Sequence, residues 1–425
     1  MVNMVRFLTE RVEVWETETG QRTRRRKKAD QENFELAIET ILTNLALSVL
    51  MFPSPGYLAV LTGNNRLGMT RYDNPALGRK PFRKLLFALW EMGILVLQSS
   101  SQRGEASAIA PSDTFRQLVS DRELSVNDIA YQDQKEILIL TKNLYRLQLS
   151  GGRKLERTLI NYQETEETTR LRLQVQALNT FLKEADISFV KNRSGNVNVN
   201  DRQMQRRFIL FEEGQAPVFQ YGGRLFGGFW QNLAKERRGK IRIDGEPVAV
   251  LDYSSMAPRL AYAHVGEQPP DGDFYTVPGL EQRRKAVKRA FSCLLSDNWK
   301  RQTWPDELIN SDKEKDTDAR MPASWPPKRL RKNLSTLHPA LKDVFGQGLM
   351  FTLMFMESNI LLRSLEELKA RGIVGLGLHD GIMVARSRAD EARKVMEQAA
   401  LDIASIHIPV KVDDGETQSI NPHEE

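Results

Sequence analysis

Apolar residues at Phe34, Ile38, Ile41, Leu42, Leu45 and Val49 recur in steps of three and four, which predicts an amphipathic helix over 34–52 that Pro53-Ser54-Pro55-Gly56 stops. A second helix is predicted over 81–92, with Phe82, Leu85, Leu86, Leu89 and Trp90 inward; Gly93 ends it and Ile94-Leu95-Val96-Leu97 follows as a strand. A third runs over 164–185, with Leu171, Leu173, Val175, Leu178, Phe181 and Leu182 inward, and a fourth over 349–368 around Phe355, Ile360, Leu361 and Leu365. Elsewhere the pattern changes to short continuous apolar runs. Val248 to Leu251 and Phe208 to Phe211 read as strands, and residues 125–128 with 136–140 as a short strand pair. Residues 373–384 read as a hairpin of two apolar strands bracketing His379-Asp380.

Two of these strands end on an acid. Asp252 closes the run Val248-Ala249-Val250-Leu251, and Asp380 sits at the turn of the hairpin. A carboxylate at the mouth of a buried strand loses hydration unless a cation faces it, and a metal ion or a basic partner is the usual compensation. Asp252 and Asp380 are therefore expected to meet in space and hold divalent metal.

Composition narrows the class. With 425 residues, 40% of them hydrophobic and 27% charged, the chain has the make-up of a soluble protein of two or three domains. The expected boundaries are a helical, winged-helix-like domain over 1–105, a connecting helical region over 106–215 and a core over 216–425. Ser99-Ser100-Ser101 lies near the first boundary. The net charge of +6 suits a polyanionic partner without requiring one. Cys293 is the single cysteine, which excludes an internal disulfide and a cysteine-cluster zinc site, and the five histidines lack metal-ligand spacing. The first residues carry acids and no signal-like apolar stretch, and the apolar run from Ile41 to Phe52 is shorter than the roughly 20 residues a bilayer needs. A cytoplasmic protein that does not enter a membrane is expected. The basic run Arg22-Thr23-Arg24-Arg25-Arg26-Lys27-Lys28 reads either as a solvated linker or as a phosphate-contacting arm. Arg66, Arg71, Arg79, Lys80, Arg83 and Lys84 flank the second helix, so a DNA contact there and a purely structural role both stay open.

Three further segments carry chemistry. Gly222-Gly223-Arg224-Leu225-Phe226-Gly227-Gly228-Phe229-Trp230 sets glycines around an arginine and aromatics, which suits close approach to a ligand or a tight turn with a packed Trp. Over 281–296, Arg284, Lys288, Phe291 and Leu295 share one helical face, two cations beside a ring; the alternative is a solvated basic face. Glu357-Ser358-Asn359 place polar groups in an apolar helix just before the His379-Asp380 hairpin, either as one side of a polar site or as an exposed face.

The order of these segments resembles the polymerase core shared by family A DNA polymerases and phage-type single-subunit RNA polymerases: strand-Asp-Tyr-Ser, a helix with Arg-x-x-x-Lys, an apolar helix, then a His-Asp hairpin. Asp273-Phe274-Tyr275-Thr276 is similar to the Asp-x-His/Tyr-Thr segment of the DNA enzymes, and Ile408-Pro409-Val410-Lys411-Val412 to their closing strand. The resemblance covers roughly residues 220–412. It implies an α+β right-hand fold, with an antiparallel palm sheet and helical fingers and thumb. It also implies that Asp252 and Asp380 bind two Mg²⁺ (or Mn²⁺) ions. Arg284 and Lys288 would hold the phosphates of an incoming NTP or dNTP, with Phe291 and Tyr253 beside the nucleotide. His379, Arg224 and Arg259 would contact the nucleic-acid template and the primer or nascent strand.

The sequence also departs from the pattern. Ala257 stands where the DNA enzymes carry a glutamate that excludes a 2′-hydroxyl; Ser292 and Ser296 stand where large aromatics belong, and Gly381 follows His-Asp in place of an acid. Ala257 tilts the expectation toward ribonucleotides, as in a small RNA polymerase or primase. The alternatives are a DNA polymerase of a plasmid or mobile element, a catalytically silent polymerase-like replication factor, and a Mg²⁺ phosphodiesterase.

Overall fold

The computed structural model describes residues 1–51, 56–60, 70–74, 77, 79–98, 106–129, 136–147, 153–190, 197–210, 218–296, 302–309 and 317–413. The helix stop at Pro53 to Pro55, Arg66, the serines 99–101 and the boundary at 215 lie outside them. The chain forms two compact units, Met1–Glu136 with Phe189–Arg202, and Ile137–Ser188 with Gln203–Glu425.

The first unit contains α1 (Val2–Glu18), α2 (Lys28–Met51), β1 (Leu58–Val60), α3 (Arg79–Glu91), β2 (Leu95–Gln98), β3 (Ser107–Pro111) and α4 (Asp113–Asp121). Its strands form an antiparallel sheet in the order β1-β3-β2. Because β3 is the central strand, residues 106–129 belong to this unit, and the domain expected to end at 105 extends past it. Met4 and Leu8 of α1, Ile38, Leu42 and Leu45 of α2, Leu86 and Leu89 of α3 and Phe115 of α4 share one core. Each such side chain contributes about 1.5–3 kcal/mol by leaving water. By length and composition α2 is apolar enough to cross a membrane, yet its apolar stripe is the one packed in this core.

Two local expectations change. The basic run folds back onto α1: Arg22 pairs with Glu16 at 3.3 Å, and Arg26 pairs with the same carboxylate while stacking over the Phe34 ring at 3.4 Å. Val126–Asp128 is a 3-10 turn rather than a strand, since the Asp128 carboxylate accepts from both the backbone N–H and the hydroxyl of Ser125 at 2.8 Å.

The second unit is mixed α+β with antiparallel sheets. Its N-terminal part holds β4 (Leu138–Leu147), β5 (Arg153–Leu159), α5 (Glu166–Glu184), β6 (Ile187–Phe189), β7 (Met204–Leu210) and β8 (Gly222–Gly227). Short helices α6 (Phe229–Asn232) and α7 (Lys235–Arg238) lead to β9 (Ile241–Ile243), β10 (Glu246–Tyr253) and α8 (Met256–His264). The rest comprises α9 (Arg284–Ser296), α10 (Asp306–Ile309), α11 (Pro327–Leu337), α12 (Met350–Ala370), β11 (Leu376–Gly377), β12 (Gly381–Ala385), α13 (Ala389–Ala404) and β13 (Val410–Asp413). One sheet runs β5-β4-β7-β8, with β4 and β7 parallel. The other runs β11-β12-β10-β9-β6, with β13 on the free side of β10. Helix α12 packs on β8, α8 and α13 through buried Leu353, Ile360, Leu361 and Leu365. The glycines of β8 allow that approach: Gly223 has φ +74°, and a Cβ there would crowd Ser358 Oγ at 2.9 Å and the Phe208 ring at 3.0 Å.

Truncating Leu42, fully buried in the first unit, should cost about 2–5 kcal/mol through the cavity left behind. Urea unfolding of Leu42→Ala followed by far-UV circular dichroism checks this; a change below 1 kcal/mol would contradict the assigned core.

Candidate active site

Strand β10 is central in its sheet, so its end is framed on both sides. Asp252 lies opposite Gly381 of β12 and opposite Lys411 of β13. A Cβ at position 381 would collide with the Asp252 carboxylate and with the Leu251 carbonyl, so the acid occupies room that only glycine leaves. The backbone N–H of Tyr253 donates to the Asp380 carbonyl at 3.0 Å, and that of Leu378 to the Gly381 carbonyl at 2.8 Å. Trp230 Nε1 and Gln231 Nε2 both donate to the Gly377 carbonyl at 2.9 Å. The turn bearing His379-Asp380 is thus tied to β10 and to the α6 segment. Both carboxylates are exposed at the mouth of the sheet. Burial and the nearby charge of Asp380 push the Asp252 carboxyl above its ordinary range; Lys235 opposes the shift, Asp413 adds to it and Arg238 opposes it.

Behind the acids lies a polar layer. Arg224 Nε and Nη2 donate to the two oxygens of Glu357 at 2.6 and 3.0 Å, a paired geometry that fixes both groups. Burial raises the Glu357 carboxyl, Arg224 pulls it back, and Asp380 raises it further. The His379 ring meets Phe226 edge-on at 5.1 Å, and burial, then Arg224, holds its pKa below the usual histidine value. Among the described residues, Ser254 Oγ, Arg259 Nε and His379 Nδ1 are buried polar atoms without a protein hydrogen-bond partner, and all three sit in the segments that carry the acids.

Arg206 is the residue the sequence reading passed over. It is 1% exposed; its Nε donates to the Gly223 carbonyl at 2.8 Å, and its Nη2 to Asn359 Oδ1 at 2.6 Å and Ser358 Oγ at 3.1 Å. Its guanidinium also stacks over Phe208 at 5.0 Å, and burial brings its pKa down to about 10. The signal is alternation: Met204, Arg206 and Phe208 fall on one strand face, but the strand expected from the sequence began only at Phe208 and left Arg206 outside it.

Asp252, Asp380, Arg224 and His379 lie together at one end of the sheet. Arg259 lies on α8, half-buried, with its guanidinium over the Phe274 ring at 5.1 Å. Ala257 is half-buried in the first turn of α8, after Ser255 at φ 50°. Arg284 and Lys288 are exposed on α9, but Arg284 is engaged: Nε and Nη2 each donate to Asp273 at 2.7 Å, and the guanidinium lies over Tyr275 at 5.2 Å. Burial pushes the Tyr275 phenol up to about 12, opposed by its hydrogen bond with Ser255, three residues past Asp252. Among the described residues the exposed Lys288 ammonium has no acid partner.

Two residues expected at a nucleotide are core residues instead. Phe291 is fully buried against Tyr275, His338 and Phe345, because α9 turns Ala286, Val287, Ala290, Phe291, Leu294 and Leu295 inward and leaves Arg284, Lys285, Lys288 and Ser296 exposed. Tyr253 is 5% exposed and its hydroxyl donates to the Met396 carbonyl at 2.7 Å, beside Ser364 Oγ at 3.2 Å. Trp230 is likewise core, so the glycines around it serve packing. Glu357, Ser358 and Asn359 form an internal polar face through Arg224 and Arg206.

No profile of a protein family matches the sequence, and no curated protein matches it. Among solved structures, the chain is similar to the POL domain of Pol1 from M. smegmatis in complex with DNA primer-template and dNTP. The identity is 11% and the TM-score 0.30, over 58% of this chain and 50% of that one, so the match spans half the length of the solved chain.

The raised Asp252 carboxyl has a defined effect on stability. The folded state holds its proton more tightly than the unfolded chain, so stability is lost as pH rises from the ordinary carboxylate value of 3.8 through the folded value. Asp252→Asn should therefore raise Tm at pH about 7 and change it little at pH about 3.5. Equal Tm for mutant and wild type at both pH values, by differential scanning fluorimetry, would refute the shift.

Proposed function

We propose that this chain is a metal-dependent, template-directed nucleotidyltransferase with a right-hand polymerase core, the six-stranded sheet serving as palm and α9 to α11 as fingers. The observation that carries the reading is the meeting of Asp252 and Asp380, from distant segments, at one end of that sheet. Two acids held so close, with unpartnered polar atoms beside them, suit a hard cation. Among the described residues no cluster of three or more His, Cys, Asp or Glu side chains stands ready to enclose an ion. Mg²⁺ keeps several waters and takes one or two carboxylates together with substrate phosphates. Asp252 and Asp380 would hold two Mg²⁺ (or Mn²⁺) ions, whose chemistry is to acidify a 3′-hydroxyl and neutralise triphosphate and pyrophosphate charge.

In the reaction, the 3′-oxygen forms a bond to the α-phosphorus, the bond to pyrophosphate breaks, and the hydroxyl proton leaves. Lys288 is free to meet the triphosphate. Arg284 joins it on release from Asp273, a step that costs about 0–1 kcal/mol for so exposed a pair. Arg224, fixed by Glu357, and His379, fixed by the turn, present donors to the nucleic acid. Ala257 leaves space where a bulkier side chain would meet the 2′ position, which favours ribonucleotides and an RNA polymerase or primase; a DNA polymerase of a plasmid or mobile element differs only in that choice. The self-pairing of Arg284 and the burial of Phe291 favour a second reading, a catalytically silent polymerase-like factor that binds nucleic acid.

The test supplies primed and unprimed templates with Mg²⁺ or Mn²⁺ and labelled NTPs or dNTPs. Product from the wild type should fall by about 10³-fold or more in Asp252→Ala and Asp380→Ala. Ala257→Glu should reduce NTP use more than dNTP use. No product under any condition, with nucleic-acid binding retained, would leave the silent factor as the answer.

A further inference from the structure

The outer face of the four-stranded sheet carries cations that the proposed chemistry does not use. Arg206 turns inward from β7, and its neighbour Arg207 turns outward and is exposed. Position 139 of β4 pairs with Arg207 and position 143 with Arg157 of β5, an even separation that puts both arginines on one face. Arg157 is exposed, as is Leu159 beside it at 45%. Arg207 feels the repulsion of Arg157, and its hydrogen-bonding neighbour is the neutral Gln205 amide. Among the described residues neither arginine has an acid partner. Two like charges fixed on a sheet face without a counter-ion are destabilising, and a polyanion relieves them.

The row continues toward the acids. The Arg207 guanidinium lies over the Phe226 ring at 4.7 Å, and that ring meets the His379 imidazole at 5.1 Å, one residue from Asp380. Arginines alternating with an aromatic ring form the elementary site for a nucleic-acid strand, with cations on the phosphates and the ring against a base or sugar. We propose that Arg157, Arg207 and Phe226 bind the phosphodiester strand that leads to the acids. That the strand is there to be extended rests on the nucleotidyltransferase reading; that it binds does not.

The experiment measures anisotropy of a fluorescein-labelled DNA hairpin with a recessed 3′ end, in EDTA and without nucleotide, over a salt series. Arg157→Glu and Arg207→Glu should each weaken binding about 5- to 30-fold and lower the salt slope by about 1, and Phe226→Ala should weaken it about tenfold. Arg207→Gln, a milder change, should weaken binding by a smaller factor and keeps the test readable if the Glu variant fails to fold. Arg371→Glu, which removes an exposed arginine paired with Glu367, controls for charge alone. Affinities within twofold of wild type, a wild type that binds no nucleic acid, or an equal loss in the Arg371 variant overturns the proposal. Arginine-dependent binding in a chain that makes no product supports this site without the enzyme; product formation with arginine-independent binding removes this site and leaves the enzyme.

Discussion

Everything at the candidate site hangs on one backbone pairing, that of Asp252 with a residue lacking a side chain. Because position 381 is glycine, β10 and β12 stay in register while the Asp252 carboxylate lies across the neighbouring strand. The Tyr253 N–H bonded to the Asp380 carbonyl then holds the second acid beside the first. Two carboxylates that would separate in a flexible loop are kept together by a ladder whose other members are buried aliphatic residues. The sheet bears the cost of their burial and repulsion, and the raised Asp252 carboxyl registers both, burial first.

A second constraint stands behind the first. Arg206 binds Gly223, Ser358 and Asn359, so a single guanidinium joins β7, β8 and α12. The same helix then offers Glu357 to Arg224. One buried cation held by a carbonyl, a hydroxyl and an amide, and one ion pair, fix the layer on which the His379 turn rests. Replacing either glycine-lined contact with a larger residue would move α12 and, with it, the acid that orients Arg224.

Much of this was legible in the sequence. The amphipathic stripes of α2, α3, α5 and α12 follow from their three- and four-residue spacing, and the two acids at strand mouths stood out because a carboxylate there needs a reason. What misled was the treatment of whole faces. On α9, positions 284, 288, 291 and 295 follow helical spacing, yet the stripe straddles the boundary between solvent and core, and spacing alone does not say where that boundary falls. Tyr253 alternates with Asp252 on its strand and so had to face the opposite way. The pairing of Arg284 with Asp273 crosses a loop, and the inward turn of Arg206 depends on Ser358 and Asn359 far along the chain, neither of which a local pattern encodes.

The Asp273–Arg284 pair has a consequence for selectivity. With one edge of the guanidinium, Nε and Nη2, occupied by a carboxylate, a lone monovalent anion gains little by displacing an internal partner of equal charge. On the proposed reading, a ligand carrying several negative groups would engage Lys288 first and draw Arg284 away afterwards. The helix would thus count charges before it commits, and the carboxylate that covers its arginine acts as a threshold against the small anions of the surrounding solution.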